Sequence, residues 1–343
     1  MTRKYWLSII ILISVIYACN KDAITERFAG FQIPANFPEP AYHFSTNEIT
    51  QNKFELGRKL FYDPLLSRNS TISCGSCHIQ TSAFSHHGHN VSHGIDDKLG
   101  TRNAPAIMNL AWYNSFMWDG GVFDLDLQPV APLTNHVEMD ETMENVLKKL
   151  KASADYPSLF NKAFGEQGIT TAAVLKALSQ FMLMCVSSNA KYDSVKRGEG
   201  KAFTEEEQNG YKIFQHKCNS CHTEPLFTDN SFRNNGLTPT ALDDKGRQLV
   251  TLNDQDAYTF KVPSLRNLGY TAPYMHDGRF YTLDAALEHY NSKVQQSATL
   301  DPLLKKETIP GIRLTDEEKK YLLAFLKTLD DPSFLKDKKL SEQ

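Results

Sequence analysis

The sequence predicts an all-α protein built as two tandem, related domains, and three observations carry that prediction. A five-residue motif, Cys74-Gly-Ser-Cys77-His78, returns as Cys218-Asn-Ser-Cys221-His222. The flanks of the two copies repeat as well. Gly57-Arg-Lys-Leu60-Phe61 precedes the first copy as Gly210-Tyr-Lys-Ile213-Phe214 precedes the second, and Pro105-Ala-Ile-Met-Asn109-Leu110 downstream matches Pro263-Ser-Leu-Arg-Asn267-Leu268. Between these landmarks the apolar residues fall at helical spacing, and few strand-like alternations compete.

The elements follow in order. Arg3 and Lys4, the apolar run Leu7–Tyr17 and Ile16-Tyr17-Ala18-Cys19 read as a lipoprotein signal peptide over residues 1–18, with a lipid anchor on the Cys19 sulfur. Removing residues 1–18 takes the formal net charge from −3 to −5. That acidic balance argues against nucleic acid and fits a soluble periplasmic body, which the Cys19 lipid would tether to the membrane. Residues 19–44, with Pro34, Pro38 and Pro40, are expected to form a tether. The N-terminal domain is expected over 45–190 and the C-terminal domain over 200–335, with the last helix able to pack back on the first domain. Ser45-x-x-Glu48, Thr204-x-x-Glu207 and Thr315-x-x-Glu318 read as capping boxes that open helices, residues 141–187 as helical, and 188–202 as a linker.

Cys-x-x-Cys-His is the attachment signature of a c-type haem: the thiols add to the vinyl groups and the adjacent histidine ligates the iron. With 6 Cys and 11 His in 343 residues, roughly 0.003 copies are expected by chance. Two copies therefore predict two covalent haems c, held by Cys74, Cys77 and His78 and by Cys218, Cys221 and His222. Thioredoxin-like pairs need neither the following histidine nor a second copy, and zinc ribbons rarely put His directly after the second Cys. Of the remaining cysteines, Cys19 is the lipid site. Cys185 sits in an apolar helical run with Val174, Leu178 and Phe181, which predicts a buried, inert thiol.

Leu56-Gly-Arg-Lys-Leu-Phe-Tyr-Asp-Pro64, Thr101-Arg-Asn-Ala-Pro105, Trp118-Asp-Gly120, Val137-Glu-Met139 and Ala272-Pro-Tyr-Met-His-Asp-Gly278 together resemble the bacterial di-haem cytochrome c peroxidase family, from about residue 50 to residue 330. The resemblance implies a peroxidatic N-terminal haem and a C-terminal haem that stores and relays an electron. It places Glu138 and Gln128 as the distal acid–base pair and Trp118 between the haems. His93, in Val91-Ser-His-Gly94, matches the histidine that caps the resting peroxidatic iron. A calcium ion is implied at Asn103, Thr271 and Pro273. Hydrogen peroxide is the implied substrate, a small cytochrome c or cupredoxin the implied donor, and a homodimer is compatible with the pattern.

One position departs from that pattern. The family's peroxidases place a methionine ligand for the second haem 14 residues after the His of His-Asp-Gly, where this chain has Tyr290. A tyrosine there resembles the subgroup typified by the enzyme that matures the tryptophan-derived cofactor of methylamine dehydrogenase. Met275 is an alternative ligand, although the repeat pairs it with Met117. Two rival functions follow: oxidation of another protein or small molecule by high-valent iron, and passive two-haem electron carriage. A carrier needs no acid–base pair, so Glu138 and Gln128 favour an enzyme.

Overall fold

In the computed structural model, residues 28–305 and 308–343 are described, and Phe31–Gln343 forms one compact unit. The signal-peptide expectation over 1–18 and Cys19 lies outside the described residues. Helices dominate, and the strands among the described residues are the two-residue pair β1 (Phe232–Arg233) and β2 (Phe260–Lys261), antiparallel with Phe232 opposite Lys261.

In the first half, α1 (Gln51–Tyr62) leads to the first thiol motif, whose Cys74–Cys77 forms a single helical turn. Helices α2 (Met143–Ala152), α3 (Tyr156–Phe164) and α4 (Thr171–Met184) follow, and α1 packs on α4. In the second half, α5 (Lys191–Lys196) precedes α6 (Glu205–Lys217), which leads to the second motif. Helices α7 (Leu283–Glu288) and α8 (Asp316–Lys327) follow, with α6 packed on α8. The sequence repeat is a structural one. A Cβ on Gly57 would stand 1.9 Å from the Ala177 carbonyl oxygen of α4, and one on Gly210 would stand 1.9 Å from the Tyr321 carbonyl oxygen of α8. Glycine is what lets the paired helices approach so closely.

Four residues past each glycine a phenylalanine faces the crossing. Phe61 meets Phe181 at 4.6 Å between centroids, and Phe214 meets Phe325 at 5.1 Å. Phe84 completes the first triad and Phe227 the second. All six rings are buried, and such aromatic contacts add about 0.5–1.5 kcal/mol each beyond area burial. The repeat extends to backbone conformation: Asn109 and Asn267, Met117 and Met275, and Gly120 and Gly278 all take positive φ.

Several boundaries differ from expectation. Helix α1 is capped by Thr50, which accepts from Lys53 N at 3.3 Å, and not by a box at Ser45, where Phe44–Thr46 is a 3-10 turn. The reason is tertiary: Asn47 is buried, donates to the Lys176 carbonyl at 3.0 Å, and receives Gln180 Nε2 at 2.8 Å, so residues 45–49 are tied to α4. The boxes at Thr204 and Thr315 form as expected. The expected linker 188–202 is largely a built joint. Asp193 on α5 pairs with Arg266 through two bonds of 2.8 Å, and both side chains are buried. Part of the expected tether also belongs to the body, since Phe37 is buried against Trp112 and Trp112 Nε1 donates to the Pro38 carbonyl at 2.7 Å.

The element that returns to the first half lies beyond α8. Helix α9 (Pro332–Leu335) and the residues after it bring Phe334 within 5.6 Å of Phe84, and Tyr62 and Gln80 donate to the carbonyls of Leu340 and Asp337 at 2.8 Å.

Candidate active site

One continuous cavity of about 560 Å³ is lined by residues of both halves, including all four motif cysteines, His78 and His222. Each motif histidine is oriented by its triad. The Nδ1–H of His78 donates to the Phe84 carbonyl at 2.8 Å, and that of His222 to the carbonyls of Phe227 at 3.2 Å and Pro263 at 3.1 Å. Carbonyl acceptors require the proton on Nδ1, which leaves Nε2 as a lone-pair donor for a metal. Burial pushes both imidazoles below their ordinary pKa, so they stay neutral. Among the described residues the four motif cysteines form no disulfide, and burial chiefly pushes their thiols upward, Cys74 and Cys218 to about 12 and Cys77 to about 11. Paired thiols, pre-set imidazoles and a largely apolar wall fit one covalent haem in each half.

Glu138 and Gln128 both line this cavity, and the Glu138 charge acts on Cys74 and Cys77 of the first motif. Burial raises the Glu138 carboxyl above the ordinary range, with the Asn135 amide, 3.1 Å from Oε1, opposing the shift. Gln128 Nε2 lies 3.7 Å from Met117 Sδ. Gly94 packs against the backbone that carries the carboxylate. A Cβ there would stand 2.0 Å from the Val137 carbonyl oxygen, and Ile95 N donates to the Glu138 carbonyl at 2.8 Å. Trp118 lines the cavity where the halves join; its Nε1 donates to the Asn103 carbonyl at 2.9 Å and its own carbonyl accepts from Lys261 N at 2.7 Å. Arg102 clamps this region through Asp119 at 2.5 Å and Asp244 at 2.7 and 2.8 Å.

His93 is placed differently from the expected cap. Ser92 and Gly94 line the cavity and His93 does not. His93 forms an isolated antiparallel bridge with Leu99. The ring instead joins His89, Nδ1 to Nε2 at 3.0 Å, and stands edge-on to His86. The His93 carbonyl reaches the motif, accepting from Cys77 Sγ at 3.3 Å.

At the other end of the cavity, Tyr290 and Met275 both line the wall and approach the Asn235 amide nitrogen. Tyr290 belongs to a π-helical turn, His289–Lys293, that continues α7. Such turns recur at functional sites because they re-aim a side chain. Asn103 Nδ2 lies 3.3 Å from the carbonyls of His89 and Asn90, and Thr271 and Pro273 line the cavity nearby. Cys185 is buried, and desolvation raises its thiol pKa, as its helical context anticipates.

Two residues escaped the sequence reading. Asn235 carries no motif that marks it. Lys261 is a lone lysine in the otherwise apolar run Phe260–Pro263, two residues ahead of the repeated proline, and that isolation is the available signal.

A family model described as di-haem cytochrome c peroxidase matches residues 51–201. The chain is 36% identical over 319 residues to the methylamine utilization protein MauG of Methylorubrum extorquens, covering 90% of this chain and 86% of that protein. It is 34% identical over 292 residues to the cytochrome c551 peroxidase of Nitrosomonas europaea, covering 82% and 81%. Among solved structures it matches a MauG-like protein associated with microbial copper homeostasis, with a TM-score of 0.83 at 32% identity, covering 91% of this chain and 98% of that one. Likeness at this level over four-fifths or more of each chain, with two thiol–histidine motifs on one cavity, shows that the chain belongs to the di-haem cytochrome c peroxidase family of oxidoreductases.

Proposed function

We propose that the protein reduces hydrogen peroxide to water at the first motif, with electrons supplied singly by a small periplasmic cytochrome c or cupredoxin. The observation that carries this reading is Glu138, a buried carboxyl on the wall of the cavity with its pKa raised by desolvation. Haem iron, bound by His78, would supply the electrons that cleave the O–O bond. Glu138 takes a proton from the proximal oxygen of peroxide and returns it to the departing one, and its raised pKa brings it nearer the operating pH. The Gln128 amide orients the peroxide beside it. Two protons and two electrons convert one peroxide to two waters. Cys218, Cys221 and His222 would hold the second haem, and Trp118 would relay electrons between the halves. Asn103, Thr271 and Pro273 would supply oxygen donors of the kind calcium prefers. The two haem domains correspond to 45–190 and 200–335, and Cys19 would tether the body to the membrane; among the described residues no helix is long and apolar enough to cross one.

A second reading is favoured by Tyr290. A phenol at the position of the methionine ligand, in a chain 36% identical to a methylamine utilization protein, suits oxidation of another protein or a small molecule. Stopped-flow spectroscopy with peroxide, from the ferric and half-reduced states, separates the two. Multiple turnovers to water with a reduced cytochrome support the peroxidase. A long-lived oxidised state that a cytochrome does not discharge supports the second reading.

A further inference from the structure

Four lysine and arginine side chains line the cavity: Arg102, Lys217, Arg233 and Lys261. Three of them meet carboxylates. Arg102 pairs with Asp119 and Asp244, Lys217 with Glu318, and Arg233 with Asp229 and Asp301. Lys261 is 7% exposed, and among the described residues its Nζ has no hydrogen-bond acceptor. Ring faces surround it, those of Tyr113, Phe116 and Phe232 at 5.1, 5.8 and 5.9 Å from the ammonium to the centroids. Aromatic faces attract a cation but leave its three N–H donors unsatisfied. The other charge acting on it is Arg247, of the same sign, and with burial it pushes the lysine down to about 7. A buried ammonium without a counter-charge is among the costliest arrangements in a protein interior.

We propose that Lys261 anchors a propionate carboxylate of a haem seated in this cavity, at the joint between the halves. The inference rests on the di-haem reading above and adds a residue that the thiol–histidine motifs do not specify. A haem is an apolar disc bearing two carboxylates, and the cavity wall has the matching character: largely apolar, with one cation the chain does not neutralise. The carboxylate supplies the acceptor that Nζ lacks, in a charge-assisted hydrogen bond. Lys261 is placed for this by its backbone, whose N–H donates to the Trp118 carbonyl at 2.7 Å and which pairs across the sheet with Phe232. Its backbone is thereby fixed to that of Trp118, the residue assigned to relay electrons. A positive charge at the edge of a haem favours its electron-rich state, so Lys261 raises the midpoint potential of the haem it holds.

The test uses the full-length holoprotein. Haem is first counted by pyridine haemochromogen; fewer than two haems per wild-type chain overturns the di-haem reading and this inference with it. With two haems present, optical redox titration and resonance Raman spectra in the propionate-bending region are compared for wild type, Lys261→Met and Lys261→Arg. The expected result for Lys261→Met is two retained haems, a downward shift of one midpoint only, and a shifted propionate line, with Lys261→Arg close to wild type. Midpoints and propionate lines in Lys261→Met identical to wild type overturn the proposal. A variant-free measurement decides the matter if Lys261→Met fails to fold. The reduced-minus-oxidised infrared spectrum of wild type should contain an ammonium band that moves on 15N-lysine labelling, and the absence of such a band overturns it.

Discussion

The Tyr290 hydroxyl and the Met275 thioether share one neighbour: Asn235 Nδ2 lies 3.4 Å from each. The two candidate ligands of the second haem therefore stand side by side on one wall, and neither is excluded by distance from the other. Burial raises the Tyr290 pKa, with the Asn235 bond opposing. The protein alone thus disfavours a phenolate, and ferric iron must supply the drive for tyrosinate ligation. We expect Tyr290→Phe to alter the ferric near-infrared and magnetic circular dichroism spectrum and Met275→Leu to leave it intact. A methionine charge-transfer band that survives Tyr290→Phe and disappears in Met275→Leu assigns the ligand to Met275.

Glu138→Gln should retain both haems and slow peroxide turnover by about 10²-fold or more. Stability should move in the opposite direction. A carboxyl whose folded-state pKa lies above its unfolded value stabilises the fold fully at pH below the unfolded value, and that contribution is lost as pH rises through the folded value. Glutamine removes this penalty. Denaturation should find Glu138→Gln more stable than wild type at pH 7–8, with the advantage shrinking towards pH 4.

His93→Ala tests the cap. With its ring bonded to His89 outside the cavity lining, the ferric spectrum of the first haem should be unchanged by the substitution. Wild type should also react with peroxide before any reduction. A low-spin first haem that becomes high-spin in His93→Ala would show that the ring reaches the iron in the resting protein.

Gly57→Ala and Gly210→Ala each place a methyl group against a backbone oxygen, at 1.9 Å before relaxation. Overpacking at such crossings costs about 1–3 kcal/mol, read as a lowered denaturation midpoint. Gly88→Ala is a suitable contrast. A Cβ there meets nothing within 4 Å, although φ is +77°, so it carries backbone strain without a clash.

What was legible in the sequence is what repeats locally. Gly57 and Phe61, Gly210 and Phe214, and the two thiol motifs lie within short segments, and their shared offsets make the repeat visible along the chain. Glu138, Gln128, Trp118, Tyr290 and Met275 were selected by resemblance, and all of them line the cavity. The failures are non-local. The position of the first helix cap depends on Asn47 being held by α4. Asp193 and Arg266 are 73 residues apart, so nothing near Asp193 reveals that the polar stretch around it is a buried joint. Lys261 reads as surface by residue type, and only its three-dimensional neighbours show that it is enclosed.

Gly94 links the loop that carries His93 to the peptide of Glu138 with no space between them. Loop and carboxylate are consequently one mechanical body. A swing that carried the His93 ring inward would have to drag or break the contact of Gly94 with Val137 and the Ile95–Glu138 hydrogen bond. Displacing the loop therefore displaces the Glu138 peptide with it.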